Sequence, residues 1–145
     1  MGAHIVFMDE SGFQLSPLVL RTWAPRGKSP VCRHRQRRAM VSVIAGISLS
    51  PRRNRTGLHF RFHRTNINAE GVRDFLRYLL RHLKGKVIVL LDNAKIHKGP
   101  AVRALLRRVH RLRLDALPAY APELNPEEGV WANAKRVLAN GRPDN

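Results

Sequence analysis

Of the ten carboxylates in this 145-residue chain, two stand at matched places. Asp9 closes the apolar run His4-Ile5-Val6-Phe7-Met8, and Asp92 closes Val87-Ile88-Val89-Leu90-Leu91. Short unbroken apolar runs of this kind read as strands buried on both faces. If those strands are parallel neighbours, both carboxylates leave the sheet at one edge. Two anions held that close repel, and one pKa rises unless a cation sits between them. A hard divalent ion with oxygen ligands meets that need, and a chain whose one cysteine is Cys32 has no thiolate cluster to offer instead. Either aspartate alone reads better as a strand-end turn former, whereas the matched pair favours metal binding.

A third carboxylate would complete such a site. Glu128 lies in Asn125-Pro126-Glu127-Glu128, a helix-start pattern with a capping residue and a proline at the first helical position. Glu128 therefore has a second reading, in which it closes a capping box, and Glu127 would simply complement the helix dipole. Spacing alone leaves both readings of Glu128 open.

The elements that must carry these residues follow from periodicity. Met40 to Leu49 reads as a second strand, Ser50 to Gly57 as a turn, and Leu58 to His63, alternating apolar and basic, as a half-exposed strand. The two form an antiparallel hairpin. Asn68 caps a helix running to about Leu83, with Val72, Phe75, Leu76 and Leu79 on one face and Gly85 ending it. Pro100 opens a second helix, Arg111 to Leu117 reads as a fifth strand, and Asn125-Pro126 starts a last helix with Val130, Trp131, Ala134, Val137 and Leu138 on one side. The first strand is expected to stop at Asp9, with Glu10-Ser11-Gly12 as a turn. Residues 12–40 are otherwise irregular, with Leu18 to Trp23 a candidate short strand. The order β-β-β-α-β-α-β-α predicts one α/β domain: a mixed five-stranded sheet, three antiparallel strands then two parallel, flanked by helices.

Charge narrows the partner. Lys and Arg number 27 against 10 Asp and Glu, a formal net charge of +17, mostly arginine. A domain this basic repels itself unless a polyanion covers it, and nucleic acid is the natural one. Arg26, Lys28, Arg33, Arg35, Arg37 and Arg38 are candidate contacts to a DNA backbone; the competing reading is a solvated loop. No apolar run approaches the roughly 18 residues of a membrane span, and the first residues lack a signal-peptide pattern. The single cysteine gives no disulfide framework and fits a reducing, cytosolic setting.

Four segments carry a resemblance to a known family. They are Phe7-Met8-Asp9-Glu10-Ser11-Gly12-Phe13, Arg21-Thr22-Trp23-Ala24-Pro25-Arg26-Gly27, Leu91-Asp92-Asn93-Ala94-Lys95-Ile96-His97 and Leu117-Pro118-Ala119-Tyr120-Ala121-Pro122-Glu123-Leu124-Asn125-Pro126-Glu127-Glu128-Gly129-Val130-Trp131. Together they resemble DDE-superfamily transposases, most closely the bacterial insertion-sequence branch of the mariner-like superfamily, over about residues 4 to 140.

The resemblance implies an RNase H-like fold in which Asp9, Asp92 and Glu128 are catalytic and hold two Mg²⁺ ions, with Mn²⁺ able to substitute. The 35 residues from 93 to 127 that separate Asp92 from Glu128 match the family's spacing and favour Glu128 over Glu127 and Glu123. It also implies double-stranded DNA as partner, both transposon ends and target, with cleavage at the ends and strand transfer. A homodimer would join the two ends. Asn93 and His97 match family positions that orient a ligand or contact DNA, while Trp23, Tyr120 and Trp131 read as packing residues. Relatives carry helix-turn-helix modules ahead of the catalytic domain; this chain begins at the first catalytic strand, so residues 1–145 are read as the catalytic domain alone, either with a separately encoded subunit to read DNA or as a fragment of a longer protein. The setting implied is the bacterial cytoplasm, at the nucleoid. Two other functions compete: a different RNase H-like nuclease, and a non-catalytic nucleic-acid-binding remnant of a decayed element.

Overall fold

The two most apolar runs become neighbouring strands at the centre of the sheet. The computed structural model describes residues 2–14, 24–28, 40–119 and 121–138. Strands β1 (His4–Gln14), β2 (Met40–Leu49), β3 (Thr56–His63), β4 (Val87–Leu91) and β5 (Leu112–Ala116) form one sheet in the order β3-β2-β1-β4-β5. Strand β2 runs antiparallel to both β1 and β3, β4 is parallel to β1, and β5 is parallel to β4. Three helices accompany it: α1 (Ala69–His82), α2 (Pro100–Arg108) and α3 (Glu127–Leu138). This is the mixed sheet expected from the order of elements.

Helix α1 forms where expected. The Asn68 side chain accepts the Gly71 N–H at 2.9 Å, and Val72, Phe75, Leu76 and Leu79 turn one stripe into the core. They pack on Val6 and Met8 of β1, Ile44 of β2, Val87 and Val89 of β4, and Val102 of α2. Gly85, at φ +87°, makes the reversal into β4, a backbone conformation open to glycine without strain. On the opposite face α3 lays Trp131 over Val43 and Ala45, a second and smaller apolar cluster.

One expectation is corrected. Strand β1 does not stop at Asp9: β2 pairs with it through to Gln14↔Met40, so Glu10, Ser11 and Gly12 have ladder partners and form no turn. Its parallel partner does stop there, the last β1–β4 pair being Phe7↔Leu90. Strand β3 turns its apolar side outward. His59 lies beside α1, 6.2 Å from the Tyr78 ring, and Arg61 sits over the same ring, whereas Leu58, Phe60 and Phe62 are 52%, 49% and 67% exposed. β3 is an edge strand, and the cluster beneath α3 draws on β1 and β2 alone. The candidate strand Leu18–Trp23 and the basic run Arg33–Arg38 lie outside the described residues. Among those described, no helix is long and apolar enough to cross a membrane.

This division of the sheet gives opposite outcomes for two phenylalanines. Phe75→Ala, at a fully buried position, should destabilise the domain by about 3–5 kcal/mol. Phe62→Ala should change stability by no more than about 0.5 kcal/mol. Urea denaturation of the two variants reads both; equal losses would mean that the outer face of β3 is covered.

Candidate active site

The parallel pairing of β1 and β4 sets the site. Continuing its register two residues past Phe7↔Leu90 brings Asp9 level with Asp92. Both line a cleft of about 260 Å³ together with Asn93, Asn125 and Glu128, walled by Leu117 to Ala119 and Ala121. The three carboxylates singled out from the sequence thus come to one place from three distant segments. They share its wall without closing around its centre: among the described residues no three acidic, histidine or cysteine side chains form a ready-made ion cage.

Each carboxylate is held differently. Asp9 is half-buried; its Oδ1 accepts the Glu10 N–H at 2.9 Å and its Oδ2 accepts the Trp131 indole N–H at 3.1 Å. Burial pushes its pKa up, those two hydrogen bonds pull it down, and the charges of Glu10 and Asp92 push it up again, so that it stands above the ordinary aspartate value. Asp92 is exposed, and its Oδ1 accepts the Ala94 N–H at 3.0 Å in a tight turn after β4. Glu128 is exposed in the first turn of α3. The helix start is served by Asn125 instead, whose side-chain oxygen accepts the Glu127 N–H at 3.1 Å. Glu128 also lines the cleft.

His97 departs from the expectation of a DNA contact. It is buried, because a single 3-10 turn (Lys95–Lys98) folds it back beneath the end of the sheet. Its Nε2 lies 2.8 Å from Glu10 Oε1, and its Nδ1 lies 3.0 Å from Asp92 Oδ1 and 3.1 Å from the Asp92 carbonyl oxygen. Burial pulls its pKa down, but the hydrogen bond and charge of Glu10, with Asp92 behind them, outweigh it and leave the pKa raised. Asn93 is exposed within the cleft. Arg26 and Lys28 sit in an exposed turn closed by the Lys28 N–H on the Pro25 carbonyl at 3.0 Å, and neither lines the cleft. Arg33, Arg35, Arg37, Arg38, Trp23 and Tyr120 lie outside the described residues. Trp131 packs as expected, edge-on to Phe13, and also holds Asp9.

Sequence reasoning missed Glu10 and Glu127. Alternation along a strand that continues past Asp9 puts Glu10 on the Val6–Met8 side, away from the cleft and toward His97. Glu127 is not the solvated dipole partner expected of it: it is fully buried and, among the described residues, neither carboxylate oxygen has a hydrogen-bond partner. Burial pushes its pKa up to about 7 and the Asp9 charge adds to that; the Ile47 backbone pulls the other way without reaching hydrogen-bond geometry. The signal was present in the helix period, since Glu127 leads the stripe continued by Val130, Trp131 and Ala134. A larger apolar groove of about 850 Å³, between the outer face of β3 and α3, is lined by Phe60, Phe62 and Val137 among others and holds no carboxylate.

The chain has relatives of known kind. The sequence profile of the family described as DDE superfamily endonuclease matches residues 4–144. The Tc1 transposable-element transposase of Caenorhabditis elegans is 27% identical over 153 residues, covering 99% of this chain and 55% of that protein. Among solved structures, the Mos1 transposase paired-end complex with the left transposon end superposes with a TM-score of 0.69 at 24% identity, over 97% of this chain and 44% of that one. The Mos1 mariner paired-end complex with Mn is similar to the same degree, TM-score 0.69 at 24% identity over 97% and 44%. The likeness shows the RNase H-like fold. The chain spans about half the length of these relatives.

The unpartnered Glu127 makes a stability prediction. In the presence of EDTA, Glu127→Met should raise the denaturation midpoint, by about 1–3 kcal/mol in unfolding free energy, because it replaces a buried, unsatisfied acid by an apolar side chain of similar size. A lower midpoint in guanidinium titration would mean that the carboxyl has a partner worth more than its desolvation.

Proposed function

The chain belongs to the DDE superfamily endonucleases, and we propose that it is the catalytic domain of a transposase, cutting DNA at the ends of a mobile element and joining those ends to target DNA. One observation carries this reading: among the described residues, Asp9, Asp92 and Glu128 and no other carboxylates line the cleft at the end of the central parallel strands. Similarity to the Tc1 and Mos1 transposases supports it.

The residues fit a divalent cation. The donors are all oxygen, as Mg²⁺ prefers. Asp9 is raised in pKa partly by the charges of Glu10 and Asp92, a repulsion that a cation relieves. A Mos1 complex with Mn supports the same class of ion. Asp9, Asp92 and Glu128 would hold two Mg²⁺, or Mn²⁺, which when bound neutralise charge on the reacting phosphate and lower the pKa of the attacking hydroxyl. The rest falls to the protein. Trp131 and the Glu10 amide fix the Asp9 carboxylate in one orientation, the Ala94 amide fixes that of Asp92, and Asn125 caps the start of α3, whose first turn carries Glu128. Asn93, exposed beside them, is placed to donate to a phosphate oxygen.

The finer assignment follows the four sequence motifs. The chain is a member of the bacterial insertion-sequence branch, acting on double-stranded DNA at the nucleoid in the cytoplasm. It works as a homodimer that holds two ends, with helix-turn-helix DNA reading supplied outside residues 1–145. Arg26, Lys28, Arg33, Arg35, Arg37 and Arg38 contact the DNA backbone in this reading.

The test is nicking of DNA carrying element ends with Mg²⁺ or Mn²⁺. Asp92→Asn and Glu128→Gln should each lower the rate at least about a hundredfold, whereas Glu123→Gln, exposed and outside the cleft, should stay within about twofold. Duplex binding without nicking by the unmodified chain would instead identify a non-catalytic binding remnant. With a net charge of +17, duplex affinity should fall about a thousandfold or more between ~50 and ~200 mM salt. Fluorescence anisotropy measures this, and a flat salt response would remove the phosphate backbone as the main contact.

A further inference from the structure

The ladder that aligns Asp9 with Asp92 ends before it reaches them. The last β1–β4 pair is Phe7↔Leu90, and Leu91 is already engaged with the other neighbour, its carbonyl accepting the Leu117 N–H at 2.7 Å. Backbone pairing to β1 therefore does not hold Asp92 in place, and a turn leaving a strand end is free to drift unless something ties it.

A side chain bridges the gap. Glu10, one residue after Asp9, points to the opposite face of β1 and reaches His97 Nε2 at 2.8 Å. The other ring nitrogen meets two of the three oxygens of Asp92, Oδ1 at 3.0 Å and the carbonyl at 3.1 Å. The ring is nearly inaccessible, its side chain 1% exposed, and the His97 N–H bonds the Ala94 carbonyl at 3.1 Å, so the imidazole is fixed by its own backbone as well as by its partners. A buried imidazole with oxygens at both nitrogens is a rigid spacer of defined length. An apolar residue would fill the same space, but it would tie nothing.

We propose that His97 is a positioning residue that, with Glu10, sets the separation of Asp9 and Asp92 and so the affinity of the cleft for a divalent ion. The inference rests on the reading of those aspartates as ion ligands. Asp92 Oδ1 accepts the Ala94 N–H, and the His97 Nδ1, hydrogen-bonded to the Asp92 carbonyl, lies 3.0 Å from the same oxygen. Loss of the ring removes both the tie to the Asp92 backbone and the contact with its carboxylate, and frees the turn to carry Asp92 away from Asp9. Partners of this kind behind ligating side chains typically change ion affinity 10–100-fold.

The experiment measures Mn²⁺ binding to the full chain without DNA, by electron paramagnetic resonance of the free ion, beside thermal midpoints and nicking. His97→Ala and Glu10→Ala should each weaken Mn²⁺ binding about 10–100-fold, and the double variant should be no weaker than the worse single one, since both cut the same strut. His97→Asn, whose amide can occupy the place of Nδ1 but leaves Glu10 unreached, should match Glu10→Ala. Raised Mn²⁺ should restore much of the nicking lost in each. If His97→Ala does not fold, His97→Asn and Glu10→Gln carry the test, the latter weakening Mn²⁺ binding several-fold with the fold intact. Folded variants that bind Mn²⁺ as tightly as the unmodified chain, or additive losses in the double variant, overturn the proposal. An unmodified chain that binds Mn²⁺ but cuts no DNA refutes the transposase reading and leaves this one standing; one that binds no Mn²⁺ refutes both.

Discussion

Parallel pairing of β1 with β4 places two carboxylates at one edge of the sheet, and much of the rest of the molecule answers that arrangement. Asp9 and Asp92 are brought to one edge by a register fixed by Val6 and Val89, both fully buried against α1. Their mutual repulsion is therefore built in by the hydrophobic core, which has no way to relax it. The responses visible in the fold are local: an indole N–H and an amide on Asp9, an amide and a ring on Asp92, and an open cleft in which a cation would complete the balance.

The distribution of charge sharpens the same point. Five of the ten carboxylates, Asp9, Glu10, Asp92, Glu127 and Glu128, gather at this end of the sheet in a chain of net charge +17. An acidic cleft repels a phosphodiester, and a basic surface attracts one. The two are compatible when the surface holds the polyanion and a cation in the cleft reverses the local sign. That division of labour fits the proposed chemistry better than it fits mere adhesion to DNA, for which the acidic cluster would be a handicap.

How much was legible in the sequence depends on the range of the interaction. The strands and the three helices follow from local periodicity, Asp9 and Asp92 from strand ends, and the β1–β4 neighbourhood and the choice of Glu128 from the family resemblance. The extension of β1 past Asp9 does not, because Glu10-Ser11-Gly12 has turn composition and becomes strand only through its pairing with Val43, Ser42 and Ile44. The same blind spot hid Glu10 as the partner of His97: a contact across 87 residues leaves no trace in either neighbourhood. The facing of β3 was not legible for a related reason, since alternation gives two faces but does not say which one a helix will cover.

The pair Glu127-Glu128 shows why neighbouring identical residues need opposite accounts. Successive positions on a helix are turned by about 100°, so if Glu128 points into the cleft, Glu127 must point elsewhere, and the helix packs that direction against β1 and β2. Trp131, one turn on, lies on the same stripe and anchors it by bonding Asp9. The orientation that presents Glu128 to the aspartates is thus the orientation that buries Glu127 without a partner. An apolar residue at 127 would relieve the strain, and rotating α3 would relieve it too, but rotation would withdraw both Glu128 and the indole from the cleft. The unsatisfied acid is best understood as a consequence of how the helix must face.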